Sequence, residues 1–80
     1  MARVHLPSGL TRHTGGVETV DVDAARVPDL IAALRDLFPQ IADRLEEMAV
    51  AIDGEIYADP GYQPLREDSE VHLVPRIAGG

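Results

Sequence analysis

The chain has 80 residues, 14 acidic and 7 basic side chains for a formal net charge of -7, and no cysteine. That length suits one domain with one thin core, and the missing cysteine excludes disulfides, a thiolate nucleophile and cysteine-based zinc or iron–sulfur sites. The acidic balance argues against nucleic acid, whose phosphates would be repelled, and favours a partner with a basic docking surface.

All seven basic residues are arginine. With no lysine ε-amine the chain cannot receive an isopeptide bond on a lysine, so chain-building of the polyubiquitin kind is closed to it. The N-terminus does not resemble a signal peptide and no apolar run approaches the length of a membrane span. A cytoplasmic protein with no membrane and no nucleic-acid partner is therefore expected.

Arg3-Val4-His5-Leu6 alternates with period two and is stopped by Pro7-Ser8-Gly9, which predicts a short strand and a turn. After Gly15-Gly16 the alternation resumes over Val17 to Val22, with Val20 and Val22 on one face, so the first two strands form a hairpin with a wide loop. Val27, Leu30, Ile31, Leu34, Leu37 and Phe38 then fall on the spacing of an amphipathic helix. Pro28 suits its first turn, Asp29 suits its positive dipole end, and Pro39 stops it. Ile41 and Leu45 predict one further helical turn.

Met48 to Ile52 reads as a third strand, Asp53-Gly54 as a hairpin turn, and Ile56-Tyr57 as a short fourth strand. Residues 58–67 contain Pro60-Gly61 and Pro64 and read as loop, and Glu70 to Val74 is a last strand with Val71 and Leu73 inward. The order β-β-α-β-β-β predicts an α+β domain over residues 1–75: a mixed sheet of four to five strands with one main helix packed on one face. A flexible tail over residues 76–80, ending in Gly79-Gly80, is expected to follow.

Glycine fills a core badly and enters a tight slot well, because without a Cβ its backbone adopts almost any φ/ψ. Gly-Gly at a free end therefore reads as a threading end whose one reactive group is its carboxylate, although the same dipeptide also ends chains that merely fray. No side-chain constellation competes with it. His5, His13 and His72 lack a compact ligand spacing, so no metal site is expected. The acidic run Glu67-Asp68-Ser69-Glu70 and the pair Glu46-Glu47 read as solvated loop residues, and no catalytic side chain is expected. Parity is more informative: with Val4, Leu6, Val71 and Leu73 facing the helix, His5, His72 and Val74 share the opposite face of the sheet, as solvated surface or as a docking surface.

The element order ending in a strand and Gly-Gly resembles the β-grasp plan of ubiquitin-like proteins. Val50-Ala51-Ile52-Asp53-Gly54-Glu55 and Leu65-Arg66-Glu67-Asp68-Ser69-Glu70-Val71 resemble the hairpin and the turn of the MoaD/ThiS family of bacterial sulfur carriers, and Val74 to Gly80 resembles that family's C-terminal signature. Asp68 and Ser69 stand where the family turn often has Gly and Asp. Leu6 to Gly16, with His13-Thr14-Gly15-Gly16 before strand two, resembles the carrier for cysteine biosynthesis. Phe38 to Leu45 resembles small subunits of molybdopterin synthase, and a thiamine carrier ranks third.

The resemblance implies a protein cosubstrate rather than an enzyme, or at most the small subunit of a sulfur-transferring synthase. Gly80 would be adenylated by a ubiquitin-activating-like enzyme that uses ATP, and converted to a thiocarboxylate that gives its sulfur to an acceptor synthase. Gly79, Ala78, Ile77 and Arg76 would carry Gly80 into the partner's active site, and the carrier itself would bind no cofactor. The competing reading is a ubiquitin-like modifier conjugated through Gly80, or a noncovalent interaction domain.

Overall fold

The computed structural model describes residues 1–57 and 63–75. Five strands form one mixed sheet: β1 (Ala2–His5), β2 (Thr19–Val22), β3 (Met48–Ile52), β4 (Glu55–Tyr57) and β5 (Glu70–Pro75). Their spatial order is β2-β1-β5-β3-β4, so the first and last strands are central neighbours and run parallel, while the other pairs are antiparallel. A helix of one turn, α1 (Ser8–Thr11), follows β1. The main helix, α2 (Val27–Leu37), leads through a short 3-10 turn (Pro39–Ile41) into α3 (Ala42–Leu45).

The main helix forms where its apolar spacing predicts. Val27, Leu30 and Leu34 are buried, Pro28 lies in the first turn, Asp29 is near the positive end and Arg35 near the negative end. No side chain caps its N-terminus. The free amide of Val27 instead donates to the Gln63 carbonyl at 3.0 Å, and Leu65 N–H donates to Ala25 at 2.8 Å, so the segment before β5 is tied to the start of the helix. At the other end Phe38 N–H donates back to Leu34, and Pro39 ends the helix. Leu37 is 54% exposed and lies off the buried stripe, contrary to its place in the predicted apolar face.

The core lies between α2 and one face of the sheet. Val4, Leu10, Leu30, Leu34, Ile41 and Val71 are fully buried there, with Leu73 and Val50 close behind. Each large aliphatic side chain so buried contributes roughly 1.5–3 kcal/mol. Asp53 and Gly54 turn β3 into β4 with φ of 48° and 92°. Asp tolerates the left-handed region and Gly adopts it freely, which is why this dipeptide makes a tight hairpin.

Three local features depart from the sequence reading. First, residues 8–11, expected as turn, form α1, anchored by fully buried Leu10. The Thr14 hydroxyl, itself buried, shares its proton between the carbonyls of Val17 at 3.0 Å and Thr11 at 3.2 Å, fixing the loop that follows. Second, β1 begins at Ala2 and β2 at Thr19, so the hairpin ladder is shorter at its loop end than the alternation implies. Third, Ser69 is not solvated: it is 2% exposed, and its Oγ accepts the Arg66 amide at 2.9 Å, closing the turn into β5.

Candidate functional site

The open face of the sheet, opposite α2, carries the alternate residues of each strand. Registers place Thr19, His5, His72, Ala51 and Ile56 side by side on β2, β1, β5, β3 and β4, in one row across the whole sheet. On one side of that row Asp21, Arg3 and Glu70 form a second row, and on the other Val74 lies beside Ala49. Parity on the parallel pair β1 and β5 brings His5 and His72 together as expected. Their rings stack with centroids 4.2 Å apart and planes 9° from parallel.

The pair is anchored from one end. His5 Nε2 lies 2.5 Å from Glu70 Oε2. A carboxylate only accepts, so the ring nitrogen facing it carries the proton. The two side chains are 32% and 49% exposed, which keeps the energetic value of this contact small and makes its main effect the orientation of the rings. Arg3 Nε meets Asp21 at 3.4 Å in a still more exposed pair. His72 is exposed, whereas Val74 is half-buried and Ala49 is buried.

Sequence reasoning placed His5, His72 and Val74 on this face, as the registers do, and did not name Ala51 and Ile56. The available signal was Ala49-Val50-Ala51-Ile52, in which small and branched residues alternate. The branched ones face α2 and the alanines leave the other face low, while Ile56 stands beside them 69% exposed. The result is an apolar shelf on β3, β4 and β5 next to a stacked imidazole pair.

At the opposite end of β5 the Asp53 carboxylate accepts the Glu70 backbone N–H at 3.0 Å and meets Arg66 Nη2 at 3.3 Å. These contacts, the Glu70 amide first and the Arg66 guanidinium next, hold its carboxyl below the ordinary value. They stitch the β3–β4 hairpin to the start of β5 and so fix the strand that carries His72 and Val74. Among the described residues no group of three His, Asp or Glu side chains converges to hold a metal ion. No helix among them is long and apolar enough to cross a membrane.

β5 ends at Pro75, the last described residue, which pairs with Met48. Gly80, the expected site of activation, and Gly79, Ala78, Ile77 and Arg76 lie outside the described residues. They follow in the chain directly after the strand that carries His72 and Val74.

No curated protein sequence matches the chain significantly. Among solved structures it is similar to the Amycolatopsis orientalis BexX/CysO complex, at 24% identity over the whole of both chains with a TM-score of 0.83. It is also similar to SAMP1 from Haloferax volcanii, at 26% identity over 99% of this chain and 98% of that one with a TM-score of 0.79. A third is the complex of subunits 1 and 2 of molybdopterin-converting factor from Helicobacter pylori, at 19% identity over 99% and 97% of the chains with a TM-score of 0.72. These likenesses and the mixed sheet with its crossing helix define a ubiquitin-like β-grasp fold. The model of the ThiS family matches residues 4–80, almost the entire sequence including Gly79-Gly80, and the chain belongs to the ThiS family.

Proposed function

We propose that this protein is a sulfur carrier and works as the cosubstrate of a ubiquitin-activating-like enzyme. The carboxylate of Gly80 attacks the α-phosphorus of ATP on that enzyme, releasing pyrophosphate and leaving an acyl-adenylate. A sulfide-level nucleophile, HS⁻, then displaces AMP to give the thiocarboxylate. That sulfur displaces a leaving group from an acceptor in a synthase, and water cleaves the acyl–sulfur bond, leaving the sulfur on the acceptor and returning Gly80 to the carboxylate. The observation that carries this reading is the family match running through Gly79-Gly80.

The fold contributes position. Central β5 is paired along both edges, to β1 and to β3, so the strand that delivers the tail is held rigidly. The docking face of His5, His72 and Val74 lies on that same strand and its neighbour. A partner that grips this face fixes the origin of a five-residue tail whose extended reach is roughly 16 Å. ATP is used by the partner, and the carrier's own side chains perform no bond-making step.

The likeness to the CysO complex supports a cysteine-type pathway, and the molybdopterin-converting factor supports a synthase small subunit as the next choice. The SAMP1 likeness supports a second reading, a protein modifier joined to target amines through Gly80. Mass spectrometry of the protein isolated from its native cell separates them. A carrier is heavier by about 16 Da, one sulfur in place of one oxygen. A modifier appears in adducts of protein size. Pyrophosphate exchange that is independent of Gly80 would refute both.

A further inference from the structure

The row across the open face has a gap in it. From β1 outward it runs imidazole, imidazole, methyl, branched aliphatic: His5, His72, Ala51 and Ile56, on adjacent strands in direct register. The strand spacing of about 4.8 Å is what allows rings on neighbouring strands to stack. His5 and His72 do so at 4.2 Å. One strand further on, where a third ring would continue the stack, there is only the Ala51 methyl group. His72 gives one ring face to His5, and on its far side the row continues with Ala51 and then the exposed Ile56.

We propose that this gap receives one aromatic side chain of the docking partner, carried on a segment with arginine or lysine beside it. The inference rests on the carrier reading for the identity of the partner, and deepens it by naming what the partner must present. Three features select the occupant. Ala51 sits on β3, which is paired on one side to β5 and on the other to β4, so the floor of the gap has no free backbone donor or acceptor for a polar tip. An aromatic ring, by contrast, stacks on the free face of His72 while its edges contact the Ala51 methyl group and Ile56. Glu70, next along β5 on the same face, uses one carboxylate oxygen on His5, and the chain as a whole carries a charge of -7. A cation flanking the ring is attracted there and an anion repelled.

The His5–Glu70 contact sets the plane of the first ring, and stacking passes that plane to His72. Glu70 and His5 are therefore positioning residues for the His72 face that meets the partner.

The test uses the full 80-residue chain and a defined probe. Acetyl-Arg-Trp-Arg-amide is titrated into the protein while backbone amide and methyl resonances are followed by NMR. Saturable shifts are expected at His5, Ala51, Ile56 and His72, with the Ala51 methyl moved upfield by the indole ring current. The corresponding Leu peptide should bind about threefold to tenfold more weakly, the stacking increment of an aromatic pair. A Glu-Trp-Glu peptide should be weaker than Arg-Trp-Arg, and increasingly similar to it as salt is raised.

Ala51→Phe supplies the third ring from within the chain and should abolish the titration. If that variant fails to fold, Ile56→Ser, at an exposed position, removes the far apolar wall without adding charge and should reduce binding at least threefold. Equal binding of the Trp and Leu peptides, shifts scattered away from the row, or undiminished binding by the altered proteins would overturn the proposal. Such a result would leave Gly80 activation untouched. Absence of Gly80-dependent pyrophosphate exchange by the unaltered protein, where that protein binds the probe, would instead overturn the carrier reading alone.

Discussion

Leu34→Ala removes three carbon atoms from a side chain that has no exposed surface and lies between Leu30, Ile41 and the inner face of the sheet. The lost transfer free energy is about 2.4 kcal/mol at 0.8 kcal/mol per methylene. The cavity left behind adds to it, because α2 is held at one end by the Gln63 carbonyl and at the other by Pro39 and cannot collapse freely. A destabilisation of about 3–4 kcal/mol follows, within the range for buried Leu→Ala. An 80-residue domain is stable by roughly 4–12 kcal/mol, so this change removes a quarter or more of the total.

With a urea m-value near the low end for small domains, about 1–1.5 kcal/mol per molar, the midpoint should fall by about 2–4 M. Far-UV circular dichroism is the suitable probe, since the chain has no Trp and two Tyr. Leu37→Ala, at a position 54% exposed, should cost less than about 1 kcal/mol. A Leu34→Ala loss under about 1 kcal/mol, or equal losses at the two positions, would refute the placement of the helix on the sheet.

Three further outcomes test the site. Deleting Gly80, or replacing it with Val, should abolish ATP–pyrophosphate exchange by the cognate activating enzyme while the urea midpoint stays put; full exchange by the truncated protein would sink the carrier reading. Val74→Glu places a charge on the half-buried apolar edge of the open face and should weaken the complex with that enzyme by about 1–3 kcal/mol in calorimetry. Unchanged binding with a sharply destabilised domain would mean that Val74 serves packing and lies outside the docking surface. Asp53 is more acidic in the folded chain than its ordinary value of 3.8, through the Glu70 amide and then Arg66, so its contribution to stability is present above that value and disappears as the pH falls through the folded pKa. Asp53→Asn keeps a side chain that tolerates positive φ and should flatten the acid limb of the urea midpoint against pH; an unaltered limb would show that Asp53 does not set it.

The parts of this fold that were legible in the sequence are those governed by short periods. The helix over 27–37, the Asp53-Gly54 hairpin and the inward parity of Val4, Val71 and Leu73 each depend on residues within one or two turns of each other, so local spacing carries them. The neighbourhood of His5 and His72 was legible only in combination, because parity placed both on one face and the parallel pairing of first and last strands came from the family resemblance. What spacing could not carry is the identity of hydrogen-bond partners. Ser69 looked solvated because it sits between acids, yet its oxygen is the acceptor for Arg66 N–H and burial follows from that contact. α1 was hidden for a related reason: Pro7 and Gly9 read as punctuation, and one buried leucine decides the conformation.

The same distinction explains how the site works. On the proposed carrier reading the chain needs a rigid origin for its tail and a face that identifies it, and β5 would meet both requirements. Neighbours on both sides fix this strand: Asp53 ties its first residue to the β3–β4 hairpin, His5 stacks against its third, and Met48 pairs with its last. The proposed recognition face lies largely on β5, after which residues 76–80 follow in sequence, so on the carrier reading a partner that grips His72 and Val74 fixes the point from which Gly80 is presented. A change that loosens β5 without touching the open face should therefore lower activation while leaving probe binding intact.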